Sequence, residues 1–158
     1  MRISFDLDGV ITNSEKWFYS TLDMLELLKA QRSSVTITEL MYYSTRSVIH
    51  NPYMFLSDED QGFIITARKP LAKLVTEQWL QSHGITLPVV FIDSYDSIDW
   101  GDYSRASVES GQRKASEIEK LGVSVHFDNN PIAVKVMRNS LPSVRIIQIG
   151  GEPCQSYM

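Results

Sequence analysis

Five short apolar runs recur along the chain, at residues 3–7, 62–66, 87–93, 123–127 and 144–149. Each is short for a helix and lacks the strict alternation of a strand with one wet face, so each reads as a strand covered on both sides. The stretches between them carry helix signals. Pro70 stands near the start of a helix read over 67–83, with Gly84 just past its end. Residues 94–111 are polar with glycines and read as a loop, followed by a helix over 112–121 that Gly122 closes. Asn130-Pro131 opens a further helix that runs to about residue 140. Strands alternating with helices predict an α/β three-layer sandwich around a mainly parallel central sheet.

In such sheets ligands lie beyond the carboxyl ends of the strands, near the point where strand order reverses. Here those ends are polar. Asp6 and Asp8 follow the first strand, Thr66 ends the second, Asp93 ends the third, and Asp128 with Asn129 follows the fourth. Two carboxylates at close range raise the pKa of one member unless something cationic neutralises them. The pair at 6 and 8 therefore implies either a rim open to water or a site for a metal ion and a phosphate.

The 158-residue chain is 43% hydrophobic and 22% charged with a net charge of −4, which suits one globular domain with a modest insertion. No run of Lys or Arg exceeds two residues, so a duplex nucleic-acid footprint is not expected, while a few local cations suffice for a small anionic substrate. The single cysteine, Cys154, excludes an internal disulfide and suggests a reducing compartment. The N-terminal MRISFDLDGV lacks the head and core of a signal peptide, and no segment approaches the roughly 20 apolar residues of a membrane span. A cytoplasmic protein without a membrane partner is expected; no pattern fixes its oligomeric state.

Taken together, "FDLDGV", "IIT" ending in Thr66, Lys114 in "GQRKASEIEKLG" and "VHFDNNP" resemble the four motifs of the haloacid dehalogenase (HAD) superfamily of phosphohydrolases, in the right order and on the right elements. The resemblance implies a Rossmann-like core at residues 1–11 and 62–158, with a small helical cap inserted at 12–61. It also implies roles. Asp6 would attack phosphorus and become an aspartyl phosphate. Asp8 would protonate the leaving group, then activate water. Thr66 would hydrogen-bond a phosphate oxygen, and Lys114 would supply positive charge to the nucleophile and phosphate. Arg68 would add a substrate contact. The implied cofactor is Mg²⁺, held by Asp6, the backbone carbonyl of Asp8, and Asp128. In many relatives two adjacent acids occupy the last motif; here Asn129 follows Asp128, which predicts weaker Mg²⁺ binding.

The implied activity is a phosphomonoesterase acting on a small phosphorylated metabolite. The motif series looks closest to cytosolic and phage-type 5′-nucleotidases, which favours a nucleoside monophosphate. A sugar phosphate, a phosphotransferase reaction and nucleic-acid end processing are the near alternatives. A receiver-like signalling module and a non-catalytic binding protein with the same fold are the distant ones.

Plainer readings stand beside these. Thr66 also suits a helix N-cap, Lys114 a solvated helix face, and Asp93 the start of a loop. His50, His83 and His126 lack metal-ligand spacing and read as structural or surface residues. In the insertion, Trp17, Phe18, Thr21, Leu22, Leu25 and Leu28 share one helical face, and Thr12 with Glu15 has capping-box spacing. The aromatics Trp17, Phe18, Tyr19, Tyr42, Tyr43, Tyr53 and Phe55 read as core in preference to a base-stacking surface.

Overall fold

The computed structural model of the protein describes residues 1–13, 46–93, 95 and 97–150. The five apolar runs form five strands: β1 (Arg2–Phe5), β2 (Gln61–Thr66), β3 (Val89–Phe91), β4 (Val125–Asp128) and β5 (Arg145–Gln148). All pairings are parallel, and the order across the sheet is β3-β2-β1-β4-β5. The described helices are α1 (Lys73–Ser82), α2 (Tyr103–Leu121) and α3 (Pro131–Ser140), with single 3-10 turns at Pro52–Phe55 and Pro70–Ala72.

Alternation along β2 shows how the layers form. Ile64 and Ile65 are both inaccessible to solvent yet point to opposite faces of the sheet. Ile64 packs with Ile3, Phe5 and Phe127 against Trp79 and Leu80 of α1. Ile65 packs with Ala106 and Ile118 of α2 and with Val134 and Met137 of α3. Each large aliphatic side chain so buried contributes about 1.5–3 kcal/mol. The result is a Rossmann-like α/β sandwich, as the strand pattern predicts.

Two helix starts differ, and α1 begins at Lys73, behind the turn at Pro70–Ala72, and not at 67. Helix α2 begins at Tyr103 and not at 112, so much of the segment read as loop is helical. Asp102 caps it, its carboxylate accepting the Arg105 N–H at 3.1 Å. The buried side of this first half is Ala106, Ser107, Ser110 and Gly111. Small residues produce no apolar periodicity, although they allow close helix packing. A Cβ at Gly111 would lie 2.9 Å from the Cα of Ala133 and 3.0 Å from its carbonyl oxygen, so α2 and α3 touch backbone to backbone there.

Residues 46–60 lie on the α1 side. The Trp79 indole N–H donates to the Arg46 carbonyl at 3.0 Å, and Val48 and Leu56 join the apolar layer. Phe55 places its ring 5.2 Å from Phe127, which stacks on Phe5 at the same distance. The Tyr53 hydroxyl accepts the Thr86 N–H at 2.9 Å. Phe55 thus rests on the edge of the core but is 40% exposed, and Tyr53 is 39% exposed, so neither is the buried core residue expected. Most of the expected cap, including Trp17, Phe18, Tyr19, Tyr42 and Tyr43, lies outside the described residues, as does Cys154. Among the described residues, no helix is long and apolar enough to cross a membrane.

Candidate active site

From β1 the chain steps outward through β2 to β3, then returns to β4 on the other side of β1. The reversal of strand order therefore falls between β1 and β4, where Phe5 pairs with Phe127 and the Asp6 N–H donates to the Phe127 carbonyl at 2.8 Å. Asp6 and Asp128 emerge side by side at the rim where such folds bind ligands. Lys114 reaches them from α2. Its Nζ lies 3.0 Å from Asp6 Oδ1 and 2.7 Å from Asp128 Oδ2, and all three side chains are buried. The solvated-face reading of Lys114 is therefore excluded.

Two carboxylates and one ammonium leave this cluster short of positive charge. Burial pushes the Asp6 carboxyl up to about 7 against the pull of Lys114, and the charges of Asp128 and Asp8 add to the rise. Burial acts the same way on Asp128, but Lys114 and His126 override it and hold that carboxyl well below the usual range. For Lys114, burial opposes the charge and the two carboxylates more than offset it, so the ammonium persists.

Asp8 points elsewhere. Arg68 grips it with two donors, Nε to Oδ2 at 2.8 Å and Nη2 to Oδ1 at 2.6 Å, while Nη1 donates to Thr76 Oγ1 at 2.9 Å. The Thr12 hydroxyl adds a bond to Asp8 Oδ1 at 3.2 Å. Burial would raise Asp8, yet the guanidinium keeps its carboxyl below the ordinary value. Arg68, expected as a substrate contact, is 3% exposed and spends its fork on Asp8. Thr12 binds Asp8 and bridges Val48, while Glu15 and the helix expected after it lie outside the described residues. Directly after Asp8 the chain turns at Gly9, whose φ of 85° suits glycine and whose α-carbon faces the Asn129 side chain so closely that a Cβ would collide with it.

Thr66, buried at the end of β2, accepts the Arg68 N–H at 3.2 Å and keeps its own hydroxyl proton for donation. Asn130 caps α3 by accepting from Ile132 and Ala133. Asp93 is a loop anchor: its buried carboxylate takes the N–H groups of Ser97 and Ile98 and pairs with Arg113. His126 is fully buried, its Nδ1 2.8 Å from Ser4 Oγ and its Nε2 3.4 Å from Asp128 Oδ2. Burial lowers its pKa and keeps the ring neutral. Sequence reasoning missed the partnerships of Ser4, Thr76 and His126. The signal available was a polar residue inside a strand covered on both sides, which demands a partner.

The donor chemistry fits a small hard dication. Asp6 and Asp128 offer carboxylate oxygens at one wall, and the raised Asp6 pKa marks a deficit that a cation would fill. Because Asp8 turns to Arg68, the described residues gather no cluster of three acid, His or Cys side chains around a common point. The expected set, two carboxylates and the Asp8 carbonyl, does not need a third.

No protein-family profile and no curated protein matches the sequence. Solved structures do. A chain in the Pnkp1/Rnl/Hen1 RNA repair complex superposes with a TM-score of 0.63 at 13% identity, over 96% of this chain and 43% of its own length. A second structure of that complex gives 0.61 at 14%, over 96% and 46%. The HAD domain of effector protein Lem4 from Legionella pneumophila aligns at 0.49 and 16%, over 99% and 87%. This chain thus spans less than half the length of the repair-complex chains, and at such identities the likeness is one of fold.

Proposed function

We propose that the protein is a HAD-type, Mg²⁺-dependent phosphomonoesterase of the cytoplasm acting through Asp6. The observation that carries this reading is the single buried ammonium of Lys114 shared by Asp6 and Asp128 at the strand-order reversal. Mg²⁺, held by Asp6, Asp128 and the Asp8 carbonyl, would supply charge neutralisation at the phosphate oxygens. The residues do the rest. Asp6, in a site shielded from water, attacks phosphorus; the P–O bond to the leaving group breaks as the Asp6–phosphorus bond forms. Lys114 and the Thr66 hydroxyl stabilise the charge spread over the transferring group.

Asp8 presents a condition. Gripped by Arg68 it is a carboxylate and holds no proton to give. A guanidinium fork matches phosphate as well as carboxylate, so incoming substrate competes for Arg68 and loosens Asp8. Released from the guanidinium, Asp8 takes up a proton from water or from the substrate's own phosphate monoanion, passes it to the leaving oxygen, and afterwards takes a proton from the water that cleaves the aspartyl phosphate.

A nucleoside monophosphate is the favoured substrate on the motif series. A phosphate at an RNA end is the second reading, favoured by the fold shared with a chain of an RNA repair complex. Incubation with a generic aryl phosphate should release inorganic phosphate only when Mg²⁺ is present, and Asp6→Asn should reduce release to background. Turnover unchanged in Asp6→Asn would remove the nucleophile. Nucleoside monophosphates and end-phosphorylated oligoribonucleotides compared by kcat/KM separate the two substrates.

A further inference from the structure

We propose that Ser4 and His126 are positioning residues that hold the Asp128 carboxylate in the orientation in which it shares a divalent cation with Asp6. This role presupposes the Mg²⁺-dependent reading above and concerns two residues outside the reacting set.

Ser4 in β1 and His126 in β4 stand opposite each other in the parallel register, and neither has solvent exposure. In strands covered on both sides a hydroxyl and an imidazole are costly without partners, and apolar residues would fill the same space more cheaply. Both have partners, and the hydrogen bonds run in one direction. An ionised Asp128 can only accept, so the proton of the neutral ring sits on Nε2, 3.4 Å from Asp128 Oδ2. Nδ1 is then an acceptor, and the Ser4 hydroxyl donates to it at 2.8 Å. Ser4 locks the ring, and the ring presents one N–H to Asp128.

The same Oδ2 receives the Lys114 ammonium at 2.7 Å, and Oδ1 receives the Asn130 N–H at 2.8 Å. Asp128 is thus tethered at both oxygens, from α2, from its own strand and from the turn that follows. The tethers from His126 and Asn130 come from the residues two positions before and two positions after Asp128. Donors behind a ligating group set its orientation, and losing one typically costs about 10–100-fold in metal affinity or activity.

Calorimetric titration of Mg²⁺ into the substrate-free 158-residue chain tests this, with His126→Leu, His126→Gln, His126→Asn and Ser4→Ala beside the unaltered protein. Glutamine keeps an N–H near the Nε2 position; asparagine keeps a polar group only near Nδ1. Mg²⁺ affinity should fall about tenfold or more in His126→Leu and His126→Asn. It should stay close to the unaltered value in His126→Gln and fall by an intermediate factor in Ser4→Ala. Urea denaturation without metal reads stability separately, so a purely packing role appears as lost stability without this rank order and overturns the proposal. Equal affinity in His126→Leu and the unaltered protein overturns it as well. Should His126→Leu fail to fold, the contrast between glutamine and asparagine decides. An unaltered protein that binds no Mg²⁺ brings down the phosphatase reading with it, whereas binding without the rank order removes this role alone.

Discussion

Around Asp6, two buried carboxylates share one ammonium; around Asp8, one partly exposed carboxylate takes two donors of the Arg68 guanidinium. Only Leu7 separates the two acids along the chain. The first cluster lacks positive charge and leaves the Asp6 proton poised at about 7. In the second the guanidinium outweighs burial, and its acid stays ionised. The contrast teaches that the opening motif is two sites of different electrostatic character: one awaits a cation, and the other already has its own.

The sharpest way to break the contrast is to remove the shared ammonium. Lys114→Met leaves two buried acids without a partner, and the metal-free protein should lose about 3–5 kcal/mol in urea denaturation at neutral pH. A loss below about 1 kcal/mol would mean that the cluster does not depend on its lysine.

The next effect separates the two acids of that cluster by pH. The folded protein holds the Asp6 proton more tightly than the unfolded chain, so this group weakens the metal-free fold as pH rises from about 4 to about 7. Asp6→Asn removes that penalty, and its stability relative to the unaltered protein should improve across this window by about 1 kcal/mol or more. Asp128 is depressed, so its stabilisation is present above the ordinary carboxylate range and fades as pH falls through it toward the folded value. Asp128→Asn should therefore cost most at neutral pH and progressively less below about pH 4. Thermal unfolding in a chelator from pH 3 to 8 checks both signs, and parallel curves for the two variants would contradict the division.

A smaller effect than that of Lys114→Met belongs to the Arg68–Asp8 site. Arg68→Met should cost only about 1–2 kcal/mol, because the Asp8 side chain is 29% exposed and water can replace part of the lost fork. A cost equal to that of Lys114→Met, measured under the same conditions, would erase the distinction.

The sheet was legible because its strands are doubly covered and so read as continuous apolar runs. The rim was legible because each strand ends in a side chain whose chemistry is plain: Asp6, Thr66, Asp128. Less was visible where burial uses small or polar residues. The first half of α2 hides its inner side behind Ala106, Ser107, Ser110 and Gly111, so no amphipathic stripe announced it. Arg68 was recognised as belonging to the site but not as the partner of Asp8, because sixty residues separate them and no local pattern encodes which anion a guanidinium meets. The Ser4–His126 bond depends on the β1–β4 register, which emerges only once strand order is known.

The bare α-carbon at 111 has a consequence for the lysine three residues further along the same rod. A single methyl group there would wedge α2 away from the Ala133 backbone and lift the root of the Lys114 side chain with it. The reach of that ammonium to both acids is thus set by a hydrogen atom in a seam that takes no part in the chemistry.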